Sequence, residues 1–103
     1  MAERMYEIEM QTPLGIKRGT LKIYIEQDKI SGFLDVMNHS EPFAGSIDGE
    51  GYCEFTGRMI TLMRTIEYKA SGKLDEDGLS LALYGERNTF QVIGTACPGK
   101  KKS

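Results

Sequence analysis

The 103-residue chain lacks tryptophan and has few of the side chains from which catalytic and metal sites are built. Its single histidine is His39, and its two cysteines, Cys53 and Cys97, are too far apart for a CxxC motif. One histidine cannot supply a zinc cluster. No nucleophile, base and orienting group can be assembled from these residues. We therefore predict no enzyme activity, no catalytic residues, no metal site and no cofactor.

Strong charge and long apolar runs are also missing. The 13 basic and 15 acidic residues are mixed along the chain and leave a net charge of −2, which argues against a nucleic-acid or anionic-membrane surface. No apolar stretch approaches the roughly 18 residues that span a bilayer, and the first residues do not read as a signal peptide. With only two cysteines there is no disulfide framework. We expect a cytoplasmic protein with reduced thiols and without nucleic-acid or membrane partners.

What the chain does have is apolar–polar alternation with a period of two, as in Tyr6 to Met10, interrupted by turn signals rich in Gly, Asp, Asn and Pro. This pattern predicts short antiparallel strands. The predicted strands are 5–11, 16–26, 29–37, 42–48, 52–60, 65–74, 78–84 and 88–96. We predict an all-β fold, an up-and-down meander of about eight strands that closes into a small barrel. This single domain covers residues 1–97, and a disordered basic tail follows at 98–103.

Glycine recurs within the predicted strands at intervals of 12 to 15 residues, mostly in phase with the apolar face. On an inner face, glycine removes volume and lets a sheet coil sharply. We expect Gly32 to lie opposite Ile23 and, through a turn near His39, opposite Ile47. Such large–small–large rows are typical of a tightly curved inner surface.

The segment 58–65 is ambiguous. Apolar residues at 59, 62, 63 and 66 have helical spacing. However, the segment is rich in β-branched residues and no N-cap precedes it. A loose internal match also aligns the run from Thr61 to Arg64 with the turn from Thr12 to Gly15. We favour strand–turn–strand, with a short helix as the alternative.

Repeated glycine units on the strands make the chain resemble the small lipocalin-like (calycin) meander barrels. These units are Gly19-Thr20-Leu21, Gly45-Ser46-Ile47, Gly72-Lys73-Leu74 and Gly94-Thr95-Ala96. The chain also resembles short bacterial proteins of unknown function with the same pattern. The resemblance implies a barrel that binds a small apolar ligand at one open end. The chain lacks the tryptophan of the lipocalin G-x-W motif and has no room for two lid helices, so no family binding residue is carried over.

Two functional hypotheses follow. The first is non-catalytic binding of a small apolar ligand by large inward side chains, namely Phe43, Phe55, Tyr68, Leu81 and Phe90. The alternative is a protein-interaction or structural module that acts through an outer patch, with the candidate residues Tyr24, Phe33 and Met37. A second copy of the chain, forming a homodimer, is one partner that such a patch could bind. A solid core without a cavity near about 300 Å³ counts against the first hypothesis.

Overall fold

The computed structural model describes residues 2–61 and 64–97 and shows eight strands joined by short turns. They are β1 (Ala2–Thr12), β2 (Gly15–Glu26), β3 (Lys29–Val36), β4 (His39–Ile47), β5 (Tyr52–Ile60), β6 (Thr65–Leu74), β7 (Gly78–Tyr84) and β8 (Thr89–Ala96). Each strand pairs antiparallel with the next, and β8 pairs with β1, so that the sheet closes into a barrel. The predicted fold class is confirmed. The predicted tail, 98–103, lies outside the described residues.

The starts of β1 and β4 each lie three residues before the predicted positions, and the difference at β4 has a consequence for the register. We expected a turn across residues 38–41, but β4 begins at His39. Met37 and Asn38 adopt positive φ angles of 54° and 67°, which is the backbone of a two-residue hairpin turn that matches the twist of the flanking strands. The turn is therefore shorter than predicted.

This shorter turn changes the register between β3 and β4. Gly32 lies opposite Phe43, so the predicted pairing of Gly32 with Ile47 is wrong. The pairing of Gly32 with Ile23 is confirmed. Gly32 still has a large residue opposite it, as predicted, because Phe43 is larger than Ile47.

Inward side chains fill the barrel in rows that alternate large and small residues. One row crosses β2 to β6 as Ile23, Gly32, Phe43, Gly57 and Tyr68. A second row crosses β7, β8, β1, β2 and β3 as Leu79, Gly94, Ile8, Gly19 and Val36. The space beside these glycines is already occupied. A Cβ atom at Gly94, for example, would lie 2.8 Å from Leu79 Cγ and 3.0 Å from Ile8 Cγ2.

At one end of the barrel, which we call the closed end, hydrogen bonds connect the turns to neighbouring strands. It carries the β2–β3, β4–β5 and β6–β7 turns. Each turn accepts a hydrogen bond from a neighbouring strand. These bonds run from Ile47 N to Asp28 O (2.9 Å), from Leu74 N to Gly51 O (3.0 Å) and from Ala96 N to Asp77 O (2.8 Å). The Tyr6 hydroxyl also donates to the Asp75 carbonyl here.

At the opposite end, which we call the open end, the β5–β6 hairpin extends beyond its neighbours. Its two strands pair with each other as far as Ile60 and Thr65. The β4–β5 ladder starts only at Gly57, and the β6–β7 ladder only at Lys69. Residues 58–60 and 65–68, the hairpin tip, are therefore paired to each other but not to the strands on either side.

Strands on both sides of the ambiguous segment 58–65 agree with the strand–turn–strand interpretation. Met59 lies in β5 and Ile66 in β6, while residues 62 and 63 lie outside the described residues. The match with the first turn also holds in detail. The Thr12 hydroxyl donates to the Gly15 carbonyl (2.7 Å), and that of Thr61 donates to the Arg64 carbonyl (2.9 Å).

Candidate functional site

Three of the five predicted pocket residues form one aromatic cluster inside the barrel. Phe43, Phe55 and Tyr68 are buried on the neighbouring strands β4, β5 and β6. The Phe43 and Phe55 ring centroids are 4.3 Å apart, and those of Phe55 and Tyr68 are 6.2 Å apart in an edge-to-face arrangement. The three rings therefore pack in sequence, with Phe55 in contact with both neighbours, and the edge-to-face pair has a geometry that aromatic pairs favour.

The other two predicted pocket residues lie on different strands, Leu81 on β7 and Phe90 on β8. Leu81 packs over Gly72, where a Cβ atom would lie 2.9 Å from Leu81 Cδ2. Phe90 approaches the β7–β8 turn, and its Cε2 lies 3.7 Å from the Cβ position of Gly85. Both are buried. The five residues thus belong to a packed core, and they do not all surround one central space.

The Tyr68 hydroxyl is a buried polar group without a hydrogen-bond partner among the described residues. The side chain is 4% exposed. The oxygen lies 2.8 Å from the position a Cβ atom of Gly57 would occupy. Burial raises the pKa of this phenol well above its usual value. A buried hydroxyl without a partner costs about 1–3 kcal/mol.

Tyr6 provides a direct contrast on the opposite side of the barrel. It is also fully buried, but its hydroxyl donates to the Asp75 carbonyl at the closed end. Burial raises its pKa as well, and this effect outweighs the opposing influence of Arg4. Of the two buried tyrosines, Tyr6 thus has an evident structural role for its hydroxyl, whereas Tyr68 has none.

An open groove of about 980 Å³ lies beside Tyr68 at the hairpin tip. We call it the β6 groove, and its lining is Pro42 with residues 56–58, 64–69 and 84–86. Its volume is within the range of small-molecule sites, about 300–1,000 Å³. Among the five predicted pocket residues, Tyr68 alone contributes to this lining.

Sequence reasoning missed Gly57 as the neighbour of the Tyr68 hydroxyl. The available signal was the inward parity of Gly57 with Phe55. That signal was insufficient, because the contact depends on the β5–β6 register, in which Gly57 lies directly opposite Tyr68.

The predicted outer patch is only partly assembled. Phe33 is 43% exposed and lies opposite Lys22 and Pro42. Tyr24 is two residues along β2 from Lys22, so it is a diagonal neighbour of Phe33. Met37 lies in the β3–β4 turn and packs against the core, so its expected outward orientation is wrong.

His39 and Cys53 lie at opposite ends of the barrel. Cys53 is opposite Ile47, which is eight residues along β4 from His39, a distance of about 26 Å at the strand rise. Burial raises the pKa of the Cys53 thiol to about 11. These two residues do not form a nucleophile–base pair.

Acidic, histidine and cysteine side chains of the described residues form no group of three that is suited to a metal ion. Within the same residues no helix is long and apolar enough to cross a membrane.

Comparison of the chain with protein families, with curated proteins and with solved structures finds no match. The eight-stranded antiparallel closed barrel is consistent with the lipocalin-like resemblance noted from the sequence. What is established is the architecture, so any function has to be argued from the site itself.

Proposed function

We propose that the protein is a non-catalytic binding barrel for a small, mainly apolar molecule that carries one hydrogen-bonding group. The ligand binds next to Tyr68 at the open end, as the resemblance to lipocalin-like barrels implies. The observation that carries this proposal is the buried Tyr68 hydroxyl without a partner beside the β6 groove. Cytoplasmic location is part of the same proposal, supported by the low cysteine content of the sequence.

The hydroxyl is better explained by ligand binding than by packing. A phenylalanine at position 68 would keep the edge-to-face contact with Phe55 without the cost of an unpaired hydroxyl. A ligand with one polar group would satisfy the hydroxyl. Its apolar body would contact Phe43 and Phe55 once the hairpin tip has bent away, because both rings are buried and lie outside the groove lining. Phe90 and Leu81 are part of the same buried core but do not line the groove.

Access to Tyr68 is supported by the limited anchoring of the hairpin tip. Residues 58–60 and 65–68 have no ladder partners on β4 and β7. The Arg58 guanidinium bridges the gap to β4 through an ion pair with Glu41 (Nε–Oε1 3.0 Å). Exposed ion pairs contribute only about 0–1 kcal/mol. Bending of the tip away from the barrel would therefore break no strand ladder to β4 or β7. It would open the space around Tyr68 at the cost of exposing Met59, which is buried in the core.

The test is a titration of the wild type and the Tyr68→Phe variant with 1-naphthol and with naphthalene, followed by NMR. The two probes differ by a single hydroxyl, as do the two proteins. We expect the wild type to bind naphthol about threefold to tenfold more tightly than naphthalene, the ratio that one net hydrogen bond supplies. The variant should bind both probes equally. Equal ratios in the two proteins, or no binding of either probe, would contradict the proposal.

A second candidate function rests on the outer patch, here defined as Tyr24, Phe33 and Pro42. Phe33 is exposed between Pro42 and the diagonal neighbour Tyr24, and exposed apolar patches commonly mark interfaces. A second copy of the chain is the proposed partner. Sedimentation velocity at millimolar concentration should then show a dimer that Phe33→Ser abolishes. Ile93→Ser is the control, since Ile93 is 60% exposed on β8, and a wild-type monomer would contradict this role.

A further inference from the structure

Arg58 has two acidic neighbours at the hairpin tip and is paired with one of them. Its guanidinium donates to Glu41 on β4, with Nε and Oε1 3.0 Å apart. Glu67 on β6 lies directly opposite Arg58 in the β5–β6 ladder, where the Cβ atoms of opposite residues are about 4.5–5.5 Å apart. Among the residues that the structure describes, Glu67 forms no ion pair. Rotation of the Arg58 side chain alone is therefore enough to change its partner.

The two acids differ in what their ion pair with Arg58 connects. Glu41 belongs to β4, so its pair spans the gap where no ladder joins the tip to that strand. This pair exists only while the tip lies against the barrel, which we call the docked position. Glu67 belongs to the tip itself, so a pair between Glu67 and Arg58 would move with the tip. It is compatible with the released position, in which the tip has bent away from the barrel.

An apolar inner face holds the tip in the docked position. Met59 and Ile66 are cross-strand partners on this face. The Met59 side chain is 1% exposed, and Ile66 Cγ2 lies 3.0 Å from the position that a Cβ atom of Gly85 would occupy. Release exposes this apolar surface to water and is therefore unfavourable. The docked position dominates, and the released position is a minor state of the free protein.

We propose that Arg58 exchanges Glu41 for Glu67 when the tip is released, so that the two acids bias the tip in opposite directions. The purpose of the release rests on the proposed function, because the released tip admits the small molecule to the Tyr68 hydroxyl. The exchange replaces the ion pair that release breaks by another of the same kind. The main cost of release is then the exposure of Met59.

Three substitutions distinguish partner exchange from simple stabilisation of the docked tip. Glu41→Gln removes the pair of the docked position and should raise the released fraction about twofold to fivefold. Glu67→Gln removes the pair of the released position and should lower that fraction by a similar factor. Arg58→Gln removes both pairs and should leave the fraction within about twofold of the wild-type value. Simple stabilisation predicts instead that Arg58→Gln matches Glu41→Gln and that Glu67→Gln has no effect.

The released fraction is measured in the full-length, ligand-free protein through the oxidation of Met59 by hydrogen peroxide. The reagent converts exposed methionine to its sulfoxide, and initial rates at pH 7 are obtained by mass spectrometry of proteolytic peptides. Met10, which is 0% exposed on β1, reports unfolding of the whole barrel, so its rate corrects for changes in global stability. Glu54→Gln is the matched control, because it removes the same charge from the outer face of β5 near the closed end. Its Met59 rate should equal that of the wild type.

The proposal is overturned if Glu67→Gln leaves the Met59 rate unchanged, or if Arg58→Gln raises it as much as Glu41→Gln does. The ligand site is tested separately by the affinity for 1-naphthol. Because apparent affinity scales with the competent fraction, Glu41→Gln should bind naphthol about twofold to fivefold more tightly and Glu67→Gln correspondingly more weakly. Met59 rates in the predicted order with constant naphthol affinity would support the exchange and contradict the proposed function.

Discussion

Replacing Tyr68 by phenylalanine should stabilise the free protein. The hydroxyl is buried and has no partner among the described residues, so its removal eliminates a cost of about 1–3 kcal/mol. The small void left beside Gly57 cancels part of this gain, which leaves about 1–2 kcal/mol. For a domain of this size, each 1 kcal/mol raises the Tm by about 4–8 °C.

Tyr6→Phe is the matched control, because it removes a hydroxyl that donates to the Asp75 carbonyl. It should lower the free energy of unfolding by about 0.5–1.5 kcal/mol. Both variants and the wild type are measured by urea denaturation at pH 7, followed by circular dichroism and analysed with a common m value. The reasoning is refuted if Tyr68→Phe destabilises the protein as Tyr6→Phe does, since the hydroxyl would then have a partner in the free state.

Two further substitutions test the core. Because the Cys53 thiol has a folded-state pKa raised from 9.0 to about 11, stability is retained below pH 9 and lost between pH 9 and 11. The wild type should lose about 1.4 kcal/mol between pH 7 and 10 relative to Cys53→Val, and parallel urea titrations would disprove this by showing no difference. Gly32→Ala should cost about 3 kcal/mol or more, because its Cβ would overlap the Lys22 carbonyl and lie 2.9 Å from Phe43 Cζ. Gly49→Ala, with nothing within 4 Å, should change stability by less than about 0.5 kcal/mol, and similar losses in the two variants would contradict the packing argument.

Much of the fold follows from local pattern, since alternation determines which side chains face inward and turn residues divide the strands. The bounds of β5, β6 and β7 agree with those predicted. The β3–β4 turn was predicted too long because its positive φ angles fall on Met37 and Asn38. A methionine in that conformation leaves no signal in the sequence.

The candidate site was less predictable than the fold. Inward parity and size selected Tyr68 correctly as a core residue. Whether its hydroxyl finds a partner depends on the β5–β6 register, which places it against Gly57. The lack of ladder partners at the hairpin tip depends on how far the β4–β5 and β6–β7 ladders extend. Each is a property of several strands together, so neither is visible in the pattern of one strand.

The most direct test of the proposed ligand site is an isotope-edited NOESY spectrum of the labelled protein with 1-naphthol. Contacts are predicted between naphthol protons and the rings of Tyr68 and Phe43. Contacts with Phe33 on the outer surface in their place, or no contacts at saturating naphthol, would contradict binding at the buried hydroxyl.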